Sequence, residues 1–72
     1  MIHIGDKLRN GAIVIARAGI YVAATWKRLH GREYISWILE QDHGQDTGNV
    51  YLGHYFMAPD KACSDMMERA AA

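Results

Sequence analysis

Lys7-Leu8-Arg9-Asn10-Gly11-Ala12-Ile13-Val14-Ile15-Ala16 is the stretch that decides how this chain of 72 residues begins to fold. Asn-Gly supplies the positive φ angles of a two-residue type I′ hairpin turn, and the run behind it is apolar and rich in β-branched residues. The reading is a short strand over about residues 6–9 turning back into a second over about 12–17. Arg17-Ala18-Gly19 breaks the run, and Ile20-Tyr21-Val22-Ala23-Ala24-Thr25-Trp26-Lys27 reads as a third strand, over about 20–28. His30-Gly31 marks the next turn. Glu33-Tyr34-Ile35-Ser36-Trp37-Ile38-Leu39-Glu40 alternates again as a fourth strand, over about 33–41. The polar stretch from Asp42 to Asn49 reads as a long hairpin loop, and Val50 to Phe56 lies in a fifth strand, over about 49–57.

After Phe56-Met57-Ala58 the apolar period changes from two toward 3.6. Pro59 suits the first turn of a helix and Asp60 complements its dipole, so a helix is expected over about 59–71. Ala62, Cys63, Met66, Met67 and Ala70 form its apolar stripe, opposite Lys61, Ser64, Asp65 and Glu68. Strands joined in sequence by short turns usually pair. The expected fold is therefore α+β: an antiparallel meander of about five strands with one C-terminal helix packed on one face. The alternative is an SH3-like small barrel plus helix, since Ile4-Gly5-Asp6 leading into a hairpin would also suit that closure.

A chain this short holds one domain, spanning 1–72. Its single cysteine, Cys63, cannot form an intramolecular disulfide, and no CxxC or Cys/His cluster offers a structural zinc. Stability must come from packing, helped by self-association if at all. No apolar run approaches the roughly 20 residues that span a bilayer, and the first residues lack the basic and apolar regions of a signal peptide. The expectation is a cytoplasmic protein with a reduced thiol, no membrane partner and no cofactor. Eight basic residues balance eight acidic ones, so no overall field draws the chain to polyanions. The charges are uneven along it, however. Lys7, Arg9, Arg17, Lys27, Arg28 and Arg32 precede Glu33, whereas Glu40, Asp42, Asp46, Asp60, Asp65 and Glu68 follow it.

Successive strand residues point to opposite faces, so each strand divides by parity. One set holds Ile13, Ile15, Ile20, Val22, Ala24, Trp26, Ile35, Trp37, Leu39, Val50, Leu52 and Phe56, and is expected to be the core under the helix. The other holds Tyr21, Thr25, Lys27, Tyr34, Ser36, Tyr51, Gly53 and Tyr55, with all four tyrosines of the chain. Tyrosine is a good residue for any half-exposed strand. It is also enriched at interfaces, and one helix covers only one face. Tyr21, Thr25, Lys27, Tyr34, Ser36, Tyr51 and Tyr55 are therefore the candidate binding residues.

Chemistry is less visible. His3, His30, His43 and His54 are scattered without metal-ligand spacing, and His54 falls by parity between Leu52 and Phe56 in the core set. The loop from Asp42 to Asn49 lacks the ordered ligands of a calcium loop, and Cys63 on an apolar stripe reads as a small hydrophobe. No nucleophile, base or carboxylate pair can be placed, so neither a catalytic nor a metal site is expected.

The segments Leu8-Arg9-Asn10-Gly11-Ala12, Tyr21-Val22-Ala23-Ala24-Thr25-Trp26, Glu33-Tyr34-Ile35-Ser36-Trp37 and Gly53-His54-Tyr55-Phe56 carry a likeness, the last three as named boxes. In these boxes the chain resembles small, mostly uncharacterised accessory proteins of bacterial mobile genetic elements with YVxxTW, EYxxW and GHYF boxes before a final helix. The resemblance implies accessory cargo that binds a host or element protein, with anti-defence inhibition among the outcomes. It transfers no functional residue. Together these readings point to a non-enzymatic binding module whose tyrosine face contacts a protein partner or a second copy as a homodimer. The alternative is a single-stranded nucleic-acid binder that stacks bases on the tyrosines and holds phosphates with Arg17, Lys27, Arg28 and Arg32.

Overall fold

The computed structural model describes all residues, Met1 to Ala72. Its elements are β1 (Ile13–Ala18), β2 (Tyr21–Arg28), β3 (Gly31–Asp42), β4 (Gln45–Phe56) and α1 (Pro59–Ala71). The strands form one antiparallel sheet in the order β1-β2-β3-β4, and α1 packs on it. The α+β meander with a C-terminal helix is therefore as expected, with four strands instead of five.

The missing strand is the one expected over about 6–9. Lys7 makes only an isolated bridge to Ile13. At the Asn-Gly turn Gly11 has φ +94°, but Asn10 stays out of the left-handed region, so the turn is not type I′. Leu8 accepts from the Gly11 N–H at 2.9 Å and donates its own N–H to the Ala12 carbonyl at 2.8 Å. That is a three-residue loop closed by a glycine bulge, and the Asn10 side chain fixes it by accepting the Ala12 N–H at 3.0 Å. The chain before it becomes a strap across the sheet. Gly5 donates to the Val14 carbonyl and Val14 to that of Asp6, while Arg9 reaches over to the Gly48 carbonyl of β4 at 3.1 Å. The strap spans the distance between the two edge strands without pairing them. The sheet stays open, and the barrel alternative is not realised.

The loop expected from Asp42 to Asn49 is also absent. His43 and Gly44 have φ of 52° and 77°, a type I′ turn that fits the strand twist and lets β3 and β4 run on to it. The polar residues beyond it are strand residues. Glu40 accepts from the Thr47 hydroxyl and the Asn49 amide, each at 2.8 Å.

Both faces of the sheet are covered. On one, Val14, Val22, Ala24, Ile35, Trp37 and Leu39 pack with Leu8 and Ala12 of the strap, flanked by Ile2, Trp26 and Val50. On the other, Ala23 packs under Ala62 and Met66 of α1, with Ile15, Ala16, Ala18, Tyr21, Tyr34, Phe56 and Cys63 around them. The helix thus lies on the tyrosine face, not on the Trp26/Trp37 face expected to receive it. The small side chains Ala16, Ala18 and Ala23 let the helix approach there, while the strap fills the other side.

Irregular register explains the rest of the exchange. Shifts fall between Val14 and Ala16, between Ser36 and Ile38, and between Leu39 and Gln41. A one-residue slip sends every later side chain to the other face. Val50 faces the strap opposite Leu39, in the set expected for it, but past the β4 bulge Tyr55 does so opposite Ile35, whereas His54 and Phe56 join Ser36 and Tyr34 on the helix side.

Candidate functional site

The seven candidate residues do not make one surface. Ser36 is fully buried, and Tyr21 and Tyr34 are half-buried against α1. Thr25 is buried and donates its hydroxyl to the Glu33 carbonyl at 3.0 Å. Lys27 is exposed beyond it, near the tip of the β2–β3 hairpin. Of the tyrosines, only Tyr51 and Tyr55 present large exposed areas, 48% and 53%, and they lie on opposite sides of β4. The premise of an uncovered tyrosine face is overturned by the helix that sits on it. His54, expected in the core, is instead half in solvent, with Nδ1 2.7 Å from a carboxylate oxygen of Asp65 on α1.

The three sequence boxes converge on packing. Trp26 meets Trp37 edge-on at 5.1 Å, and Trp37 meets Tyr55 edge-on at 6.3 Å. Gly53 leaves the room that this row requires. A Cβ there would lie 2.5 Å from Trp37 Nε1.

Leu52, assigned to the core by parity, is the residue that the sequence reading most misplaced. It has φ 52°, a conformation that costs a bulky side chain of order 1–3 kcal/mol, and it is 66% exposed. Arg69 of α1 holds this bulge. It donates to the Leu52 carbonyl at 2.8 Å, to the Ser36 carbonyl at 2.9 Å and to the Ser36 hydroxyl at 3.2 Å. Tyr51, Leu52 and Tyr55 thus stand along an edge strand with no further strand beside it, past the point where Arg9 of the strap donates to the Gly48 and Thr47 carbonyls.

The two edges of the sheet differ. Both are bulged and both touch the strap, but β1 has only six residues, carries Arg17 and meets the strap through Val14 on both its N–H and its carbonyl, whereas the strap meets β4 only through Arg9 at Thr47 and Gly48. β4 has twelve residues and contains no lysine, arginine or proline, the residues that usually blunt an edge. Its charged groups are already engaged. Asp46 accepts two hydrogen bonds from Arg17, at 2.6 and 3.1 Å, and others from the Ile2 N–H and Gln41. The Arg17 guanidinium, helped by the Ile2 and Gln41 donors, holds the Asp46 carboxyl far below the usual carboxylate range despite its burial.

Elsewhere on the surface, Met1, Ile2, His3, Ile4, Arg17 and Gly19 line an open depression of about 630 Å³ beside the strap. No group of three His, Cys, Asp or Glu side chains is gathered to hold a metal, and no helix is long and apolar enough to cross a membrane. No family model matches the chain, and neither the curated proteins nor the solved structures contain a match to it.

Proposed function

We propose that this chain is a non-enzymatic binding module acting by protein–protein contact, and that its contact surface is the outer edge of β4, joined antiparallel by β4 of a second copy. The observation that carries the reading is Leu52: a strained backbone that turns a leucine into water, on a long edge strand free of blunting residues. Strain of this kind persists where function needs it. A two-fold pairing would set Tyr51 of each copy on one face of the joined sheet and Tyr55 of each on the other, with Leu52 at the seam, the isologous arrangement most common among oligomers. It would also set no uncompensated like charges against each other, because Arg17 and Asp65 already engage Asp46 and His54. Relative to the tyrosine-face expectation, Tyr51 and Tyr55 remain in the site, and Tyr21, Thr25, Tyr34 and Ser36 leave it. The cytoplasmic setting and the role as accessory cargo of a mobile element belong to this same proposal.

Sedimentation at about 10–100 μM tests it, since weak edge pairing falls in that affinity range. The expected species is a dimer. Leu52→Asn, which tolerates the left-handed backbone, should give a monomer with a higher thermal midpoint. A wild-type chain that stays monomeric over this range sinks the reading.

A further inference from the structure

The β2–β3 hairpin runs past the sheet. β1 last meets β2 at the pair Ile13 and Thr25, and β4 last meets β3 at Tyr34 and Phe56. Beyond them the pairs Trp26–Glu33, Lys27–Arg32 and Arg28–Gly31 continue as a two-stranded ribbon with no strand on either side. At ~3.4 Å per residue it projects by about 10 Å. Every residue from Lys27 to Arg32 is exposed, and Leu29 at the apex is 92% exposed.

The ribbon is basic on a chain that has no net charge. Lys27, Arg28 and Arg32 face a single carboxylate, Glu33. That carboxylate accepts from Trp26 Nε1 at 2.7 Å and from Arg28 Nε at 3.0 Å, so it is already engaged. These two hydrogen bonds, the one from Trp26 foremost, keep Glu33 ionised below the usual carboxylate range. Arg28 is held in place by that bond and by stacking 4.4 Å above the Trp26 ring. Lys27 and Arg32 are directly opposed across the ribbon and neither forms an ion pair. Like charges at facing positions destabilise a strand pair. The arrangement costs stability and leaves two exposed cations without a carboxylate partner, Arg32 making only a long contact, 3.4 Å, from Nη1 to the Thr25 hydroxyl. Between the strands and Met57 lies a cleft of about 140 Å³ lined by Arg28, His30, Gly31, Arg32 and Glu33.

We infer that this ribbon is a docking site for the phosphate backbone of duplex nucleic acid, independent of the β4 edge. A two-stranded ribbon fits a major groove ~12 Å wide, and arginine forks suit phosphate oxygens. Base stacking on the tyrosines is not part of this contact, because α1 covers Tyr21 and Tyr34. The site therefore selects a duplex over a single strand, in contrast to the single-stranded alternative that the sequence suggested.

Fluorescence anisotropy with a labelled mixed-sequence duplex of about 20 base pairs tests it. Three phosphate contacts predict a slope near −2.7 in log K against log salt, a loss of about 40-fold between about 50 and 200 mM salt. The double variant Lys27→Gln/Arg32→Gln should lower affinity at least about tenfold at the lower salt and reduce the slope to about −1. Its thermal midpoint should stay unchanged or rise, because an opposed pair of like charges is removed. Absence of wild-type binding at low salt overturns the inference, as does a variant that binds as well as the wild type. Tighter binding to a single strand of the same length, to polyglutamate or to anionic vesicles assigns the ribbon to a different partner and overturns it equally.

Discussion

Exchanging Gly53 for alanine sets two physical effects of opposite sign against each other. Gly53 does not occupy the left-handed region, so the backbone accepts an L-residue there without strain. At such a position Gly→Ala ordinarily stabilises by ~0.4–1 kcal/mol, by restricting the unfolded chain. Here, however, the new Cβ would stand 2.5 Å from Trp37 Nε1, 2.9 Å from its Cδ1 and 3.0 Å from Tyr55 Cε1. Carbon contacts settle near 3.5–4.0 Å, so the indole must retreat by about 1 Å. Trp37 is only 4% exposed and lies against Trp26, which leaves it little space to move into. Overpacking of this kind costs ~1–3 kcal/mol. The net expectation for Gly53→Ala is a loss of about 1–2 kcal/mol, or roughly 5–15 °C in thermal midpoint for a domain of this size. Urea unfolding followed by tryptophan fluorescence measures it. In a Trp37→Leu background the indole clash is gone and the half-exposed Tyr55 ring can give the few tenths of an ångström that its own contact needs, so the same exchange should be neutral or stabilising. A Gly53→Ala protein as stable as the wild type, with Trp37 intact, would refute the packing argument.

Arg69→Met should cost about 2–3 kcal/mol in chemical denaturation, because three hydrogen bonds from a charged group to Ser36 and Leu52 are lost. Hydrogen exchange should then quicken at the Leu52 bulge. Tyr34→Ala should destabilise by about 2 kcal/mol, since the ring is packing under α1, and its thermal melt should show this before any binding assay does. Asp46, whose folded pKa is depressed by Arg17, stabilises the protein fully above its unfolded pKa of about 4, and this is lost as the pH falls toward the folded value. Arg17→Met should therefore cost about 3 kcal/mol near neutral pH, and the cost should shrink progressively as the pH falls below about 4 toward the depressed folded value, where protonation of Asp46 releases the pair in the wild type. Denaturation midpoints across that range check it.

What the sequence carried clearly was alternation and punctuation. The strand runs around Val22, Ile35 and Phe56 and the change of period at Pro59 are properties of a few neighbouring residues, and they located three strands and the helix. What it carried poorly was anything that depends on register. Asn10-Gly11 suits a type I′ turn and a glycine bulge equally, and the choice between them decided whether Leu8 belonged to a fifth strand or to a strap. The β4 bulge reversed the parity of Tyr55 and Phe56, and with it the location of the tyrosines. Thr47 and Asn49 looked like loop residues because strand residues with polar partners on an exposed edge have the composition of a loop. The candidate site was legible only in part. Tyr51, Tyr55 and Lys27 are exposed, whereas the exposure of Leu52 follows from a backbone angle that no local pattern announces.

With the strap on one face of the sheet and α1 on the other, contacts with partners are left to its edge and its tip. These two surfaces are oriented differently. The ribbon extends along the strand direction, while the open side of β4 faces across it. Pairing two copies antiparallel along β4 places the two-fold axis perpendicular to the sheet, so the two ribbons would point in opposite directions. A dimer built this way would not lay both ribbons on one short stretch of duplex and would gain no avidity there. It would instead hold two duplex segments apart, each met by a single Lys27/Arg28/Arg32 tip. On these proposals the edge and the ribbon would act at once without competing, and the affinity of the ribbon for a short duplex would be a property of one chain.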